Sequence, residues 1–288
     1  MVASRPYVEH ILFNLDLAAE ANRRTPDRHG NVIALRAETA DDVLVAGDLH
    51  GHRQNFNQLR RLAALDENPR RHLVLQEVCH GGPEYPQNGG CMSHGLLEDV
   101  AVLKTKYPER VHFILANHEL AELSDHPIRK SNQFLNVRFR RGLERMYGSA
   151  ADEVQEAYRR FFRTCPLAVR LPWGVFISHS IPDGVDVSGF DTSLFDRKLV
   201  DEDYGHLGGI FRLVWGRDYR GSNARAFTKL VDAKILINGH EPCPEGFVAA
   251  NNAQIILDCS DERAACVLLP VGAELSLDEI LERVQRLD

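Results

Sequence analysis

The sequence predicts an α/β fold, and three observations carry that expectation. Short apolar runs rich in β-branched residues recur along the chain, stretches of helical spacing separate them, and five of the runs end in residues able to bind a metal. At 288 residues the chain exceeds the commonest domain size. Large α/β domains reach about 250 residues, so one elaborated domain is expected rather than two. Its expected organisation is an N-terminal helix-and-strand extension over 1–40, a principal domain over 41–270 with a helical segment at about 131–165, and a C-terminal helix over 271–288.

The strands are expected at 43–46 (VLVA), 73–75 (LVL), 111–116 (VHFILA), 175–177 (VFI), 235–237 (ILI) and 254–257 (QIIL). Helical spacing follows the first run at Phe56, Leu59, Leu62 and Leu65, and precedes the third at Leu96, Leu97, Val100 and Leu103. From Phe134 to Phe162 the chain is charged and helical in spacing, with Phe139, Leu143, Met146 and Tyr147 followed by Val154, Tyr158 and Phe161, and it reads as helices packed beside the sheet. Two prolines and four glycines make "GGPEYPQNGGC", 81–91, a loop. The tail "LSLDEILERVQRLD" reads as an amphipathic helix with Ser276 as N-cap.

Composition excludes several classes. Hydrophobic residues make up 44% and charged residues 26%, with no apolar run approaching the ~20 residues of a membrane span. The first residues mix charges into their apolar positions, unlike a secretory signal, so a cytoplasmic protein without a membrane partner is expected. A net charge of −7 and a pI near 6.0 argue against a nucleic-acid surface. The six cysteines are sparse for this length, and reduced thiols are expected.

The residues beyond the strands carry chemistry. After VLVA come Asp48 and His50, after LVL Gln76 and Glu77, after FILA Asn117, His118 and Glu119, after VFIS His179, and after ILIN Gly239 and His240. Loops beyond the strand ends of an α/β sheet line its ligand crevice, so these residues are expected to converge. Each alone has a plain structural explanation, but recurrence at five strand ends favours a site. Imidazoles, carboxylates and one amide, without a thiolate, suit Mn, Fe or Zn in a reactive rather than a structural site. Six groups are too many for one tetrahedral ion. Two ions sharing a carboxylate use them all, and such pairs serve phosphoester hydrolysis.

"GDLHGH", "ILANHE", "FISHS" and "INGHEP" stand in the order and spacing of the calcineurin-like metallophosphoesterases, and the chain resembles the PPP family of serine/threonine phosphatases from about residue 42 to 270. "LLEDVAVLKTKYPERVHFILANHE", "RMYGSAADEVQEAYRRFFRTCPLAVRLPWGVFISHS", "RLVWGRD" and "GHEPCPEGF" extend the likeness. The resemblance implies that family's sandwich of mixed β-sheets flanked by helices. It implies one metal on Asp48, His50 and a bridging Glu77, a second on that bridge with Asn117, His179 and His240, and His118 as general acid toward the leaving oxygen. Arg217 matches the phosphate-binding arginine, against the plainer reading of an ion pair with Asp218 or a neighbour. The implied activity is hydrolysis of a phosphomonoester by hydroxide held on a dimetal centre, with Mn a candidate metal and a phosphorylated substrate, including phosphoprotein, as partner.

One motif departs from the family pattern. Where the family has Gly-Asp, two residues and Asp-Arg-Gly, this chain reads "LQEVCHGG". Gln76 replaces the glycine, Glu77 the bridging aspartate, His80 the aspartate that pairs with the general acid, and Gly81 the arginine. His80 offers no anion, so Glu84 or another loop carboxylate is needed to support His118. Losing an arginine at Gly81 removes a phosphate clamp unless another cation moves in. Cys79, His80, Cys91 and His94 bracket an insertion of about eight residues. It reads as an ordinary loop remodelling substrate access, in preference to a third metal site or a Cys79–Cys91 disulfide. A phosphodiesterase, a dinucleoside polyphosphate hydrolase and a non-catalytic binding protein stay open as alternatives.

Overall fold

The computed structural model describes residues 2–287. One sheet runs in spatial order Val284–Arg286 (β14), Ala265–Pro270 (β13), Asp42–Asp48 (β3), Arg71–Gln76 (β4) and Val111–Ile114 (β5). The other runs Arg28–His29 (β1), Val32–Ala34 (β2), Ala168–Leu171 (β8), Val175–Ser178 (β9), Ile235–Asn238 (β10), Gln254–Leu257 (β12) and Phe247–Asn251 (β11). Strands β3, β4 and β5 are parallel, as are β9, β10 and β12, while the outer pairings are mixed. Arg129–Lys130 (β6) and Gln133–Phe134 (β7) form a separate hairpin. All six expected strands are present.

Period-two alternation explains the layering. Val43 and Val45 of β3 point into one apolar cluster, and Leu44 and Ala46 into another. The first cluster also takes Val74, Ile114 and Val267 from the same sheet and Val169, Ile177, Ile237 and Ile255 from the other, so the two sheets bury these faces against each other. Helices Ser93–Lys106 (α3) and Ala151–Phe162 (α6) cover the opposite face of the β3 sheet, where Leu97 and Phe161 join one cluster with Leu73 and Phe113, and Arg5–Arg23 (α1) packs against both helices. Arg53–Ala63 (α2), Asn117–Ser124 (α4) and Leu135–Tyr147 (α5) complete that layer. No helix is long and apolar enough to cross a membrane.

Three segments bear on the expected organisation. The helical stretch 134–162 is two helices, α5 and α6, separated by a single turn at Gly148–Ala150 where Gly148 takes a φ of 55°. The chain's tail is not one helix. Ser276 caps it as expected, with Glu279 completing a reciprocal capping pair, but the helix covers only Leu277–Leu281 and the chain then extends as β14 against β13. Pairing Val284 with Val267 covers a sheet edge that would otherwise be open, a gain that outweighs continuing the helix. The N-terminal residues are α1 followed by β1 and β2, and β2 pairs with β8, so they are part of the second sheet.

Candidate metal centre

The carboxyl ends of the parallel strands of both sheets reach the same edge of the sandwich. Asp48 ends β3, Glu77 follows β4, Asn117 starts α4 after β5, His179 follows β9, and His240 lies beyond β10. A parallel bridge between Asp48 and Asp258, with Cys259 N–H donating to Asp48 O at 2.9 Å, joins the sheets there. His50, Glu77, His80 and His240 all have left-handed backbone, with φ of 40°, 43°, 65° and 74°. Strained conformations of this kind, held by the surrounding fold, concentrate at working sites. At Gly239 a Cβ would stand 2.0 Å from Asp48 Oδ1, so only glycine lets β10 approach the aspartate.

The predicted ligands are brought together. Glu77 stands at the middle, its oxygens 3.6 Å from His50 Nε2, 3.6 Å from His179 Nε2 and 3.5 Å from His118 Nε2. Asp48 Oδ1 is 3.6 Å from His179 Nδ1, while its Oδ2 accepts His240 N–H at 2.6 Å. The histidines are oriented from behind. His50 Nδ1 donates to His80 O at 3.0 Å, which leaves the Nε2 lone pair toward Glu77. His179 Nδ1 donates to Gln76 Oε1 at 2.9 Å, and Gln76 Nε2 in turn donates to Ala46 O at 2.9 Å, fixing the amide. His179 Nε2 then presents a lone pair 2.6 Å from Asn117 Oδ1 and 3.2 Å from His240 Nδ1. Acceptor atoms crowd this closely only around a shared proton or a cation.

Electrostatics agree. Burial pushes the Glu77 carboxyl up to about 8, and burial followed by the neighbouring Glu77 raises Asp48 well above the usual carboxylate range. Burial holds His179 well below the ordinary imidazole value, and burial followed by Arg217 lowers His240 to about 3. Asp48 Oδ1 is buried without a hydrogen-bond partner. Neutral imidazoles, an unpaired buried oxygen and carboxylates deprived of solvent are what a divalent cation would satisfy, so these residues fit a metal.

His118 lies beside this cluster, and its support differs from expectation. Its Nδ1 is 3.0 Å from His80 Nδ1, and His80 Nε2 is 2.9 Å from Glu122 Oε1. Glu122 is itself held by Asn136 Nδ2 at 2.8 Å and Gln155 Nε2 at 3.1 Å. The missing anion therefore comes from α4 through His80, and not from Glu84, which pairs with Arg138 on the outside of the loop. A carboxylate fixes the proton on His80 Nε2, so neutral His80 accepts at Nδ1 and His118 donates from Nδ1. Burial first, and then the imidazoles around it, lower the His118 pKa well below the ordinary value.

Arg217 lies at the rim of a 390 Å³ cavity above Glu77 and His118, and its partner is Glu241, not Asp218, which pairs with Arg220. Cys79 and Cys91 are buried free thiols, so the loop carries no disulfide. His94 is engaged by Tyr85 and Glu98, at 3.0 and 3.2 Å. Sequence reasoning missed Glu122, Gln76 as an orienting group, Asp258 in the cavity wall, and Arg129 and Lys130 on the hairpin above the cavity. Asp258 was legible by the strand-end rule, since it directly follows QIIL.

No family model and no curated protein matches the chain. Solved structures do. A protein serine/threonine phosphatase from Saccharomyces cerevisiae, described as similar to human phosphatase PP5, superposes with a TM-score of 0.70 at 13% identity, over 98% of this chain and 90% of that one. A cold-active protein-tyrosine phosphatase of a psychrophilic Shewanella gives 0.54 at 13% identity, over 93% and 84%. With its two mixed sheets, flanking helices and ligand-bearing strand ends, this chain has the PPP-type phosphatase fold.

Proposed function

We propose that the protein is a metal-dependent phosphomonoesterase. The observation that carries this reading is the convergence of Asp48, His50, Glu77, Asn117, His179 and His240 from both sheets beside His118, an imidazole backed by His80 and Glu122. Asp48, His50 and Glu77 would hold one divalent ion, and Glu77, Asn117, His179 and His240 a second; Mn, Fe or Zn suits them, and the pair would supply Lewis acidity for water and phosphoryl oxygen.

The chain's own residues do the rest. His80 and Gln76 keep His50 and His179 in the tautomers that present Nε2 lone pairs. His118, protonated on both nitrogens, gives its Nε2 proton to the leaving oxygen and ends neutral, with Nδ1–H still donated to His80. That hydrogen-bond pattern is unchanged by the transfer, so no side chain must move. A phosphate dianion in front of His118 and the Glu122 carboxylate behind His80 both favour its cationic form, opposing burial. Arg217, exposed at the rim, would exchange Glu241 for phosphate oxygens, which suit its planar fork. Phosphorylated proteins are the substrates proposed on the resemblance.

Hydrolysis of p-nitrophenyl phosphate by Mn-loaded protein, beside the Asn117→Ala variant, tests the reading. Turnover that the variant loses by about 100-fold or more is expected. Absence of turnover with Mn, Fe and Zn, or equal turnover in both proteins, would overturn it.

A further inference from the structure

A second cavity, of 320 Å³, opens beside the one lined by Asp48 and Glu77. It shares His50, His118, Lys130, Leu135 and Ser260 with the first and adds His80, Gly81, Gly82, Cys91 and Arg138. Among the described residues no carboxylate lines it, although the chain carries a net charge of −7. The cavity is therefore selectively cationic.

Its walls explain why. The family-pattern arginine would stand at Gly81, but there φ is +139° and a Cβ would lie 2.4 Å from His50 O. The backbone around His50 and Gly51 packs so closely on Gly81 and Gly82 that this wall accepts no side chain. The cations come from the opposite wall. Lys130 sits on a hairpin whose two turn residues, Ser131 and Asn132, take φ of 48° and 61° as a tight hairpin turn requires. Lys130 makes no ion pair among the described residues. Arg138, at the start of α5, gives Nε to Gly89 O at 3.3 Å and pairs with the half-exposed Glu84, which leaves Nη1 for a further acceptor.

We propose that this cavity is a subsite for a second anionic group, a phosphate or a carboxylate carried on the leaving group of the ester and held by Lys130 and Arg138. That it takes the leaving group rests on the hydrolase reading, because the atom that receives the His118 proton must extend to the His118 side. Lys130, shared by both cavities, lies between the two anionic groups and replaces the clamp that Gly81 cannot carry.

Calorimetric binding of two non-hydrolysable ligands to Mn-loaded full-length protein tests the subsite: phenylphosphonate and 3-carboxyphenylphosphonate. The carboxylated ligand is expected to bind about tenfold tighter, and the preference to shrink below about threefold in Lys130→Ala and in Arg138→Ala. Lys130 is exposed on its hairpin, so its variant keeps the fold even if the Arg138 change disturbs the loop. Equal affinities in the native protein, or an undiminished preference in both variants, would overturn the subsite whether or not the protein hydrolyses esters. A preference that Lys130→Ala removes, in a protein that turns over no ester, supports the anion subsite and overturns the hydrolase reading instead.

Discussion

At His80 the sequence and the structure give different accounts of one side chain. By sequence, a histidine in place of an acid deprives His118 of its anion, and the neighbouring loop offers Glu84. In the fold, Glu122 lies four residues beyond His118 on α4, and the ring of His80 stands between them. A spacing of four on a helix is ordinary, and nothing in it signals an imidazole inserted from another loop. Gln76 was illegible for the same reason: its contacts with His179 and Ala46 cross between strands distant in sequence. The metal-binding residue types, by contrast, were legible because each directly follows an apolar run. Glu122→Gln keeps the shape of the side chain and removes its charge. On the role proposed for His118 as proton donor to a leaving oxygen, the variant should lose about 100-fold on an alkyl phosphate but less than about tenfold on p-nitrophenyl phosphate, whose leaving group needs no proton. Equal losses on the two esters would make Glu122 a purely structural residue.

Among the elements, those with both faces buried were the easiest to read. Strands β3, β4, β5, β9, β10 and β12 carry continuous apolar runs because sheet or helix covers each side. The edge strand β11, with Phe247–Asn251 largely open to solvent, gives no such run. The C-terminal tail shows local preference giving way to pairing. Ser276 and Glu279 start a helix, with Ser276 Oγ accepting Glu279 N–H at 3.3 Å and Glu279 Oε2 accepting Ser276 N–H at 2.8 Å, but the open edge of β13 claims the residues after Leu281. Because the cap still orients the chain into β14, Ser276→Ala should cost about 1 kcal/mol in urea-induced unfolding. A loss below about 0.3 kcal/mol would mean that the strand pairing alone fixes the tail.

Across the whole molecule, two buried groups of residues link stability to pH with opposite signs. His72 on β4 and His112 on β5 share a hydrogen bond of 2.9 Å, and burial lowers His72 to about 4 and His112 well below its ordinary value. Their folded pKa values lie beneath the unfolded value of about 6.5, so this stability is complete above pH 6.5 and is lost as pH falls toward 4. Glu77 works the other way. Its carboxyl is raised from 4.5 to about 8, so without a cation its stability is complete below pH 4.5 and is lost as pH rises through 8. A divalent ion held as proposed would bind the ionised carboxylate and remove that loss, competing with a proton at pH 5.5 and with almost none above 8. His179 and His240 are neutral at both values and add little to the difference. The histidine pair on β4 and β5 lies away from the ligands and contributes equally with and without metal, so it cancels from the comparison. The rise in melting temperature on adding about 1 mM Mn should therefore be severalfold larger near pH 8 than near pH 5.5. Asp48, also raised by burial, acts with the same sign, so an equal rise at both values, or one larger in acid, would show that neither Glu77 nor Asp48 takes up the cation.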